Sequence, residues 1–437
     1  MTYASARTDL ASARLHAALD PVPLPSPQAA AALTASLLAW YDVHRRHLPW
    51  REAPGTPSDP YRVWVSEAML QQVRVETVAR HYDRFLARWP TAEALARAEL
   101  EDVLRAWSGL GRYARAHNLH AAARLLAERH GGVVPGDEAA LRDLPGVGPY
   151  TAAAVRAIAF GHPVMPVDGN VERVLSRLFG LAWTPGQGAA ARRAMLHRLA
   201  QALAPAHRPG CFAQAVMDLG ATVCIPPRGK PRCDACPWRG ACAAHAAGIA
   251  ESLPLGPPRP AASVRPRFGA AFLAVRPGDG AVLLRRRPPG GPLAGTLDLP
   301  GTPWRTGRPW RAAEAVAQPG AAPFAAPWRL LRGRVRHALS SYRVELVVLA
   351  PAPAGTCDEV RSSAVGPASG GVPEGVHGAA PAGVWVPRDA LEGEALSVLA
   401  RKLVRHALDA ADKAGSRRCG RAGRLRRAVP PDRVSEA

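Results

Sequence analysis

The hydrophobic rhythm of this chain changes once, at a basic, proline-rich stretch, ESLPLGPPRPAASVRPR, residues 251–267. Before it, apolar residues recur at helical spacing in AALTASLLAWYDVH, TAEALARAELEDVLRAWSG and ARAHNLHAAARLLAERH, and no segment reads as a strand. After it, FGAAFLAV, AVLLRRRP and YRVELVVLA read as strands, and ALSVLARKLVRHALDAAD reads as one amphipathic helix. One packed core does not change period in this way. With 437 residues there is room for two or three domains. The sequence predicts a multidomain protein: a mobile leader over 1–27, an all-α domain over 28–250, a linker over 251–267, an α+β domain over 268–410 and a basic disordered tail over 411–437.

Charge narrows the class of partner. Lysine and arginine total 56 against 35 acidic residues, a net +21, which predicts a polyanionic partner, nucleic acid first. Nearly all of it is arginine, in a chain also rich in Ala, Gly and Pro, so the choice of arginine over lysine says little. No run of about 18 uncharged apolar residues is present and the first twenty residues lack a hydrophobic signal core, so a cytoplasmic protein is expected.

Four of seven cysteines crowd into one loop. Cys224, Cys233, Cys236 and Cys242 are spaced C-x8-C-x2-C-x5-C, while Cys211, Cys357 and Cys419 are scattered. Four thiolates so close satisfy zinc or an iron-sulfur cubane, and spacing alone does not decide between them. Arg228, Lys230 and Arg232 sit inside the first loop, where ligation would hold them out toward a phosphate backbone; the plainer alternative is a solvated face.

The stretch LPGVGPYTAAAV, residues 144–155, reads as a helix ending near Asp143, a tight turn through Gly146 and Gly148, and a new helix from about Pro149. Such a turn offers backbone N–H groups and a helix N-terminus to one phosphate. Some twenty residues on, Asp168 precedes Gly169-Asn170 and a helix. It is either an N-cap or a carboxylate facing a developing cation.

In this order, a Gly-Val-Gly turn, an aspartate soon after and a cysteine cluster about 55 residues further resemble the helix-hairpin-helix DNA glycosylases that carry a four-iron four-sulfur cluster. The resemblance runs from about 50 to 245 through DPYRVWVSEAMLQQVRVETV, GLGRYARAHNLHAAA and FAQAVMDLGATVC. Two branches separate at position 150. The endonuclease III branch, a glycosylase and lyase, has a nucleophilic lysine there; this chain has Tyr150, and a phenol forms no iminium. SEAMLQQ and LPWR, residues 48–51, are similar instead to the MutY branch, which removes adenine opposite 8-oxoguanine. That resemblance implies an all-α helix-hairpin-helix glycosylase domain with an iron-sulfur cluster at residues 224–242, followed by an α+β Nudix-like domain for 8-oxoguanine recognition. The segment RRRPPGGPLAGTLDLPG matches the latter, and the Nudix catalytic core R-E-x-x-E-E is absent from the sequence.

The resemblance implies roles for particular residues. Glu67 is the general acid that protonates adenine, with Val63, Trp64 and Met69 able to desolvate it. Asp168 stabilises the oxocarbenium ion or forms a transient adduct, and Tyr150 supports them. Gln71 and Gln72 fill the gap left by the extruded nucleotide. Arg112 and Tyr113 stand at the family's G-L-G-Y-Y motif, with Arg112 in place of the first tyrosine. Gly146 and Gly148 hold a DNA phosphate, while Trp50, Arg51, Leu70 and Ser340 contact substrate. The expected partner is double-stranded DNA with adenine opposite 8-oxoguanine or guanine, met by a monomer. The first cysteine loop is two residues longer than the family's usual one. The F-S-H loop that reads 8-oxoguanine is Leu339-Ser340-Ser341 here, and Leu293 and Leu299 replace an aromatic pair, which predicts weaker or altered lesion discrimination.

Overall fold

The computed structural model describes residues 22–54, 56–182, 188–226, 230–254, 266–288, 290–339, 342–352 and 383–425, with side chains described through 412. Arg228, Ser340 and Ser341, most of the leader and linker, and the tail beyond 425 lie outside the described residues. The chain divides into two compact units. One comprises Met1–Glu99 and Arg115–Ala261, the other Leu100–Ala114 and Ala262–Ala437.

Among the described residues up to 250 every regular element is a helix. The α-helices are α1 (Pro27–His44), α2 (Pro60–Leu70), α3 (Val75–Arg88), α4 (Ala92–Ala96), α5 (Leu100–Ala106) and α6 (Ala114–His130). After them come α7 (Glu138–Arg142), α8 (Pro149–Phe160), α9 (Gly169–Leu178), α10 (Ala189–Leu203), α11 (Pro209–Thr222) and α12 (Ala243–Ala246). Most starts are written in the sequence. Ser26, Asp59, Thr91, Asp137 and Asp168 each cap a helix through a side-chain oxygen, and Pro27, Pro60, Pro149 and Pro209 occupy first-turn positions where the missing N–H costs nothing.

The apolar helix α11 is the hub of this unit, packing on α1, α8 and α9, while α2 packs on α8. Its Phe212, Val216 and Leu219 join Leu37 and Tyr41 of α1, Val171, Val174 and Leu175 of α9, and Trp238 beyond the cysteine loop in one core. Close approach of α11 to α9 depends on Gly220, where a Cβ would lie 2.9 Å from the Asn170 Cβ. These contacts bring the start of α9, the start of α8 and one face of α2 to a common point.

The second unit has two sheets. In the larger, β1 (Arg267–Phe272) runs parallel to β6 (Arg343–Pro351), and β4 (Trp328–Leu330) and β5 (Val335–Ala338) pair antiparallel with β6. In the smaller, β2 (Val282–Arg286) lies between β3 (Leu297–Asp298) and β7 (Val384–Val386), both antiparallel. Alternation decides the layers. Val344, Leu346 and Val348 of β6 face a core shared with Leu399, Leu403 and Val404 of α14 (Val398–Leu425), whereas Val347 and Leu349 face Phe272 and Ala315 of α13 (Ala312–Ala317). Burial on both faces explains why this strand is apolar almost throughout. The final helix continues to Leu425, past the start at 411 expected for the tail.

Two further expectations change. TAEALARAELEDVLRAWSG is not one helix but α4 and α5, with Arg97 as the C-cap of α4. The segment Leu100–Ala114 groups with the second unit, where the Ser108 hydroxyl donates to the Leu396 carbonyl at 2.9 Å. Among the described residues no helix is long and apolar enough to cross a membrane.

Candidate active site

Val63, Ser66, Glu67 and Leu70 share one face of α2 by helical spacing, and that face lines a cavity of about 180 Å³. Trp50, Arg51, Tyr150, Asp168, Asn170, Gln214 and Met217 line it as well. The end of α2 is fixed by Arg115, buried on α6, whose Nη1 donates to the carbonyls of Ala68 at 2.8 Å and Met69 at 2.9 Å. Beyond it Gln71 donates to the Thr151 hydroxyl at 3.5 Å, while Gln72 is exposed with a left-handed backbone, φ +58°.

The hairpin forms as the glycines require. Asp143 ends α7, Gly146 adopts φ +81° with its missing Cβ only 2.8 Å from the Asn118 Cβ, and α8 opens after Gly148. Gly148 caps without a side chain, so the N–H groups of the first turn point outward. One turn inside, Tyr150 faces the cavity. Its hydroxyl is hydrogen-bonded to the Glu67 carboxyl and lies 3.8 Å from the Met217 sulfur.

Glu67 is 5% exposed. Burial pushes its carboxyl up to about 7, and the Asp168 charge adds to this, against the opposing Tyr150 hydrogen bond and the Arg51 charge. Near neutrality this side chain therefore holds a proton and can give it up.

Asp168 caps α9 and faces the cavity at the same time. Oδ1 accepts from the backbone of Asn170 at 2.9 Å and of Val171 at 2.8 Å, and Oδ2 accepts from Asn170 Nδ2 at 3.0 Å. Capping and exposure to the cavity are thus one arrangement. The polar chain continues away from the cavity: Arg173 donates to Asn170 Oδ1 at 3.0 Å and to the carbonyl of Cys224 at 2.8 Å.

Cys224, Cys233, Cys236 and Cys242 all line one small apolar cavity, with Arg177. Arg177 donates from Nη1 to the Cys224 sulfur at 3.2 Å, and its buried Nη2 has no partner. Burial also pushes the Cys236 thiol up to about 12, so a thiolate there requires added positive charge. A multinuclear metal-thiolate group, cationic at its metals and anionic overall, fits both the thiols and the orphaned guanidinium. Among the described residues no three His, Cys, Asp or Glu side chains surround a single metal-ion position.

The other expected residues are dispersed. Lys230 and Arg232 are exposed in the cysteine loop, with Arg232 donating to the Thr222 carbonyl. Arg112 is exposed at φ +46°. Tyr113, expected against DNA, is only 2% exposed, and its hydroxyl donates to the Leu396 carbonyl at 3.3 Å inside the second unit; its ring is taken up by packing. Trp50 packs edge-on against Tyr82 and turns toward the cavity. Sequence reasoning missed Asp218, Arg46, Asn170, Met217 and Asn118. For Asp218 a signal existed: one carboxylate within the apolar run of α11 needs a cation.

The family described as HhH-GPD superfamily base excision DNA repair protein matches residues 65–204, and that described as NUDIX domain matches residues 271–406. An adenine DNA glycosylase of Rattus norvegicus is 46% identical over 219 residues, 49% of this chain and 42% of that protein. One from Mycobacterium tuberculosis is 44% identical over 228 residues, 51% of this chain and 70% of that protein. The solved structure of a thermostable thymine-DNA glycosylase superposes with a TM-score of 0.45 at 30% identity, covering 50% of this chain and 97% of that one. The chain thus spans less than half the length of the mammalian relatives it matches.

Proposed function

The chain belongs to the adenine DNA glycosylase family, and from that premise we propose that it hydrolyses the N-glycosidic bond of adenine mispaired with 8-oxoguanine or guanine in duplex DNA. The observation that carries this reading is a protonatable Glu67 in one cavity with Asp168 and Tyr150. Adenine in a duplex is out of reach, so the nucleotide is extruded into the cavity while Gln71 and Gln72 fill the gap in the stack. Phosphate contacts come from the N–H groups at Gly146 and Gly148, with Lys230, Arg228 and Arg232 along the backbone and Arg112 against the bases.

Glu67 gives its proton to adenine N7. The bond from C1′ to N9 breaks with its electron pair passing to the base, which leaves neutral. The positive charge left on the sugar faces Asp168, held at the start of α9 where three N–H groups orient it. Water then adds to C1′ and returns a proton to Glu67. Tyr150 holds the Glu67 carboxyl in place and offers no amine, and among the described residues no lysine lines the cavity, which favours base release without strand cleavage over the lyase chemistry of the endonuclease III type.

One four-iron four-sulfur cluster on Cys224, Cys233, Cys236 and Cys242 is part of the proposal; when bound, it ties the DNA-facing loop into the fold. Recognition of the opposite 8-oxoguanine is assigned to the Nudix-like unit, through the loop that contains Ser340. The protein acts as a monomer in the cytoplasm. Single-turnover assays on duplexes with adenine opposite 8-oxoguanine, guanine and thymine test the substrate: cleavage opposite thymine as fast as opposite 8-oxoguanine overturns it. Borohydride trapping of a DNA adduct in good yield supports the lyase alternative.

A further inference from the structure

Asp218 lies in α11 among apolar neighbours with 0% of its surface exposed, and the reaction above gives it no step. Its carboxylate is nonetheless fully engaged. Arg51 meets it end-on, Nη1 2.6 Å from Oδ2 and Nη2 2.9 Å from Oδ1, in the two-pronged geometry that fixes a guanidinium in both position and plane. Arg46 adds its Nε at 2.6 Å from Oδ1 and its backbone N–H at 3.1 Å from Oδ2. The Arg46 side chain keeps 27% of its surface in solvent, whereas Arg51 keeps 6%. Screening by water reduces the first charge and barely touches the second. The cation that matters to the cavity is therefore Arg51.

Arg51 and Glu67 line the same cavity, and the Arg51 charge acts on the Glu67 carboxyl. An unopposed guanidinium beside a buried carboxyl draws its proton off, which would empty the acid before adenine arrives. The groups that act on Glu67 come from three other segments. Tyr150 of α8 is hydrogen-bonded to it, Asp168 at the start of α9 repels its ionised form, and Arg51 of the 48–51 segment attracts that form. Behind Arg51 stand Asp218, Arg46 and, on α1, Tyr41, whose ring centre is 6.0 Å from the Arg51 guanidinium. Asp218 alone among them both opposes the Arg51 charge and dictates where that charge sits.

We propose that Asp218 is a positioning residue for the acid step: its two-pronged grip holds Arg51 against the cavity wall and offsets its charge there, so that Glu67 keeps its proton at working pH. The proposal rests on the reading of Glu67 as the acid. A residue that only tied α11 to the 46–51 segment would affect folding and the size of the rate, not the pH at which the rate falls.

The test is the pH profile of single-turnover adenine release from an adenine:8-oxoguanine duplex, between pH 5 and 9, for the full-length protein with its cluster. Wild type loses rate about tenfold per pH unit above a midpoint set by Glu67. In Asp218→Asn that midpoint moves down by about one pH unit or more. In Asp218→Glu, which restores the charge, the wild-type midpoint returns even where the plateau is lower. Arg51→Met removes the opposing cation and moves the midpoint up; it decides the matter if Asp218→Asn does not fold. Variants that lose plateau rate with an unmoved midpoint overturn the proposal and leave Asp218 a structural tie. A wild-type protein that releases adenine from no duplex fails the functional reading instead. In that case the carboxyl of Glu67, followed by carbon-13 NMR in wild type and in Asp218→Asn, still shows or fails to show the downward shift.

Discussion

Replacing Glu67 by glutamine is expected to stabilise the protein in a pH-dependent way while removing the proposed adenine release. Burial lifts the folded-state carboxyl from an ordinary 4.5 to about 7, so between those values the folded protein holds a proton that the unfolded chain has released. Wild-type stability therefore falls as pH rises from about 4.5 to about 7 and is level above that. A gap of about 2.5 pH units, at about 1.4 kcal/mol each, makes the cost of the ionised, buried carboxylate about 3 kcal/mol at pH 8. Glutamine keeps the shape and the hydrogen bond to Tyr150 without titrating. The advantage of Glu67→Gln over wild type should thus grow by about 3 kcal/mol between pH 4.5 and pH 8, equivalent to about 6–12 °C in Tm for a unit of this size. Thermal unfolding of both proteins at several pH values measures it. A difference in Tm that is the same at both ends of the range would show that Glu67 is not a proton-holding acid, and the mechanism built on it would fall.

Three other outcomes follow from the geometry. Asp168→Asn retains an oxygen for the N–H groups of α9 but loses the charge facing the sugar, so adenine release should drop by about 10²- to 10³-fold with duplex affinity kept; a rate within a few fold of wild type contradicts the role. Gly146→Ala forces a side chain onto a backbone at φ +81° and against Asn118, a strain of about 1–2 kcal/mol, and should weaken binding to undamaged duplex about tenfold in a fluorescence anisotropy titration; unchanged affinity removes the hairpin from the DNA surface. Cys236→Ala should strip iron and broad visible absorbance from the purified protein, whereas full iron content in the variant rules Cys236 out as a ligand.

The parts of the site legible in the sequence are those whose cause is local. Pro149 and Gly146 announce a turn into a helix and Asp168 announces a cap, whereas Glu67 is picked out by the resemblance of SEAMLQQ to the MutY branch. The division of TAEALARAELEDVLRAWSG into α4 and α5 has no such mark, since no proline or glycine stands at the break. It is held from elsewhere: His120 of α6 donates from Nε2 to the Ala98 carbonyl at 2.9 Å, a partner 22 residues away. The burial of Tyr113 has a related cause: its hydroxyl donates to the Leu396 carbonyl, a partner 283 residues away, and no local signal in the sequence marks that contact.

The same contrast separates the residues that perform the proposed chemistry from those that make it possible. Glu67, Tyr150 and Asp168 belong to short motifs, yet their convergence depends on the fit of α11 between α8 and α9, which Gly220 permits and which no motif contains. Asp218 is the sharper case. Its position is visible in sequence as a carboxylate where none should be stable, but its partners lie 167 and 172 residues away, so the sequence poses the question of compensation and only the fold answers it. In this site the answer reaches the chemistry, because the cation that satisfies Asp218 is the one that faces the acid. An uncompensated charge in an apolar helix is thus a marker for residues that tune a site, just as spacing motifs are markers for residues that occupy it.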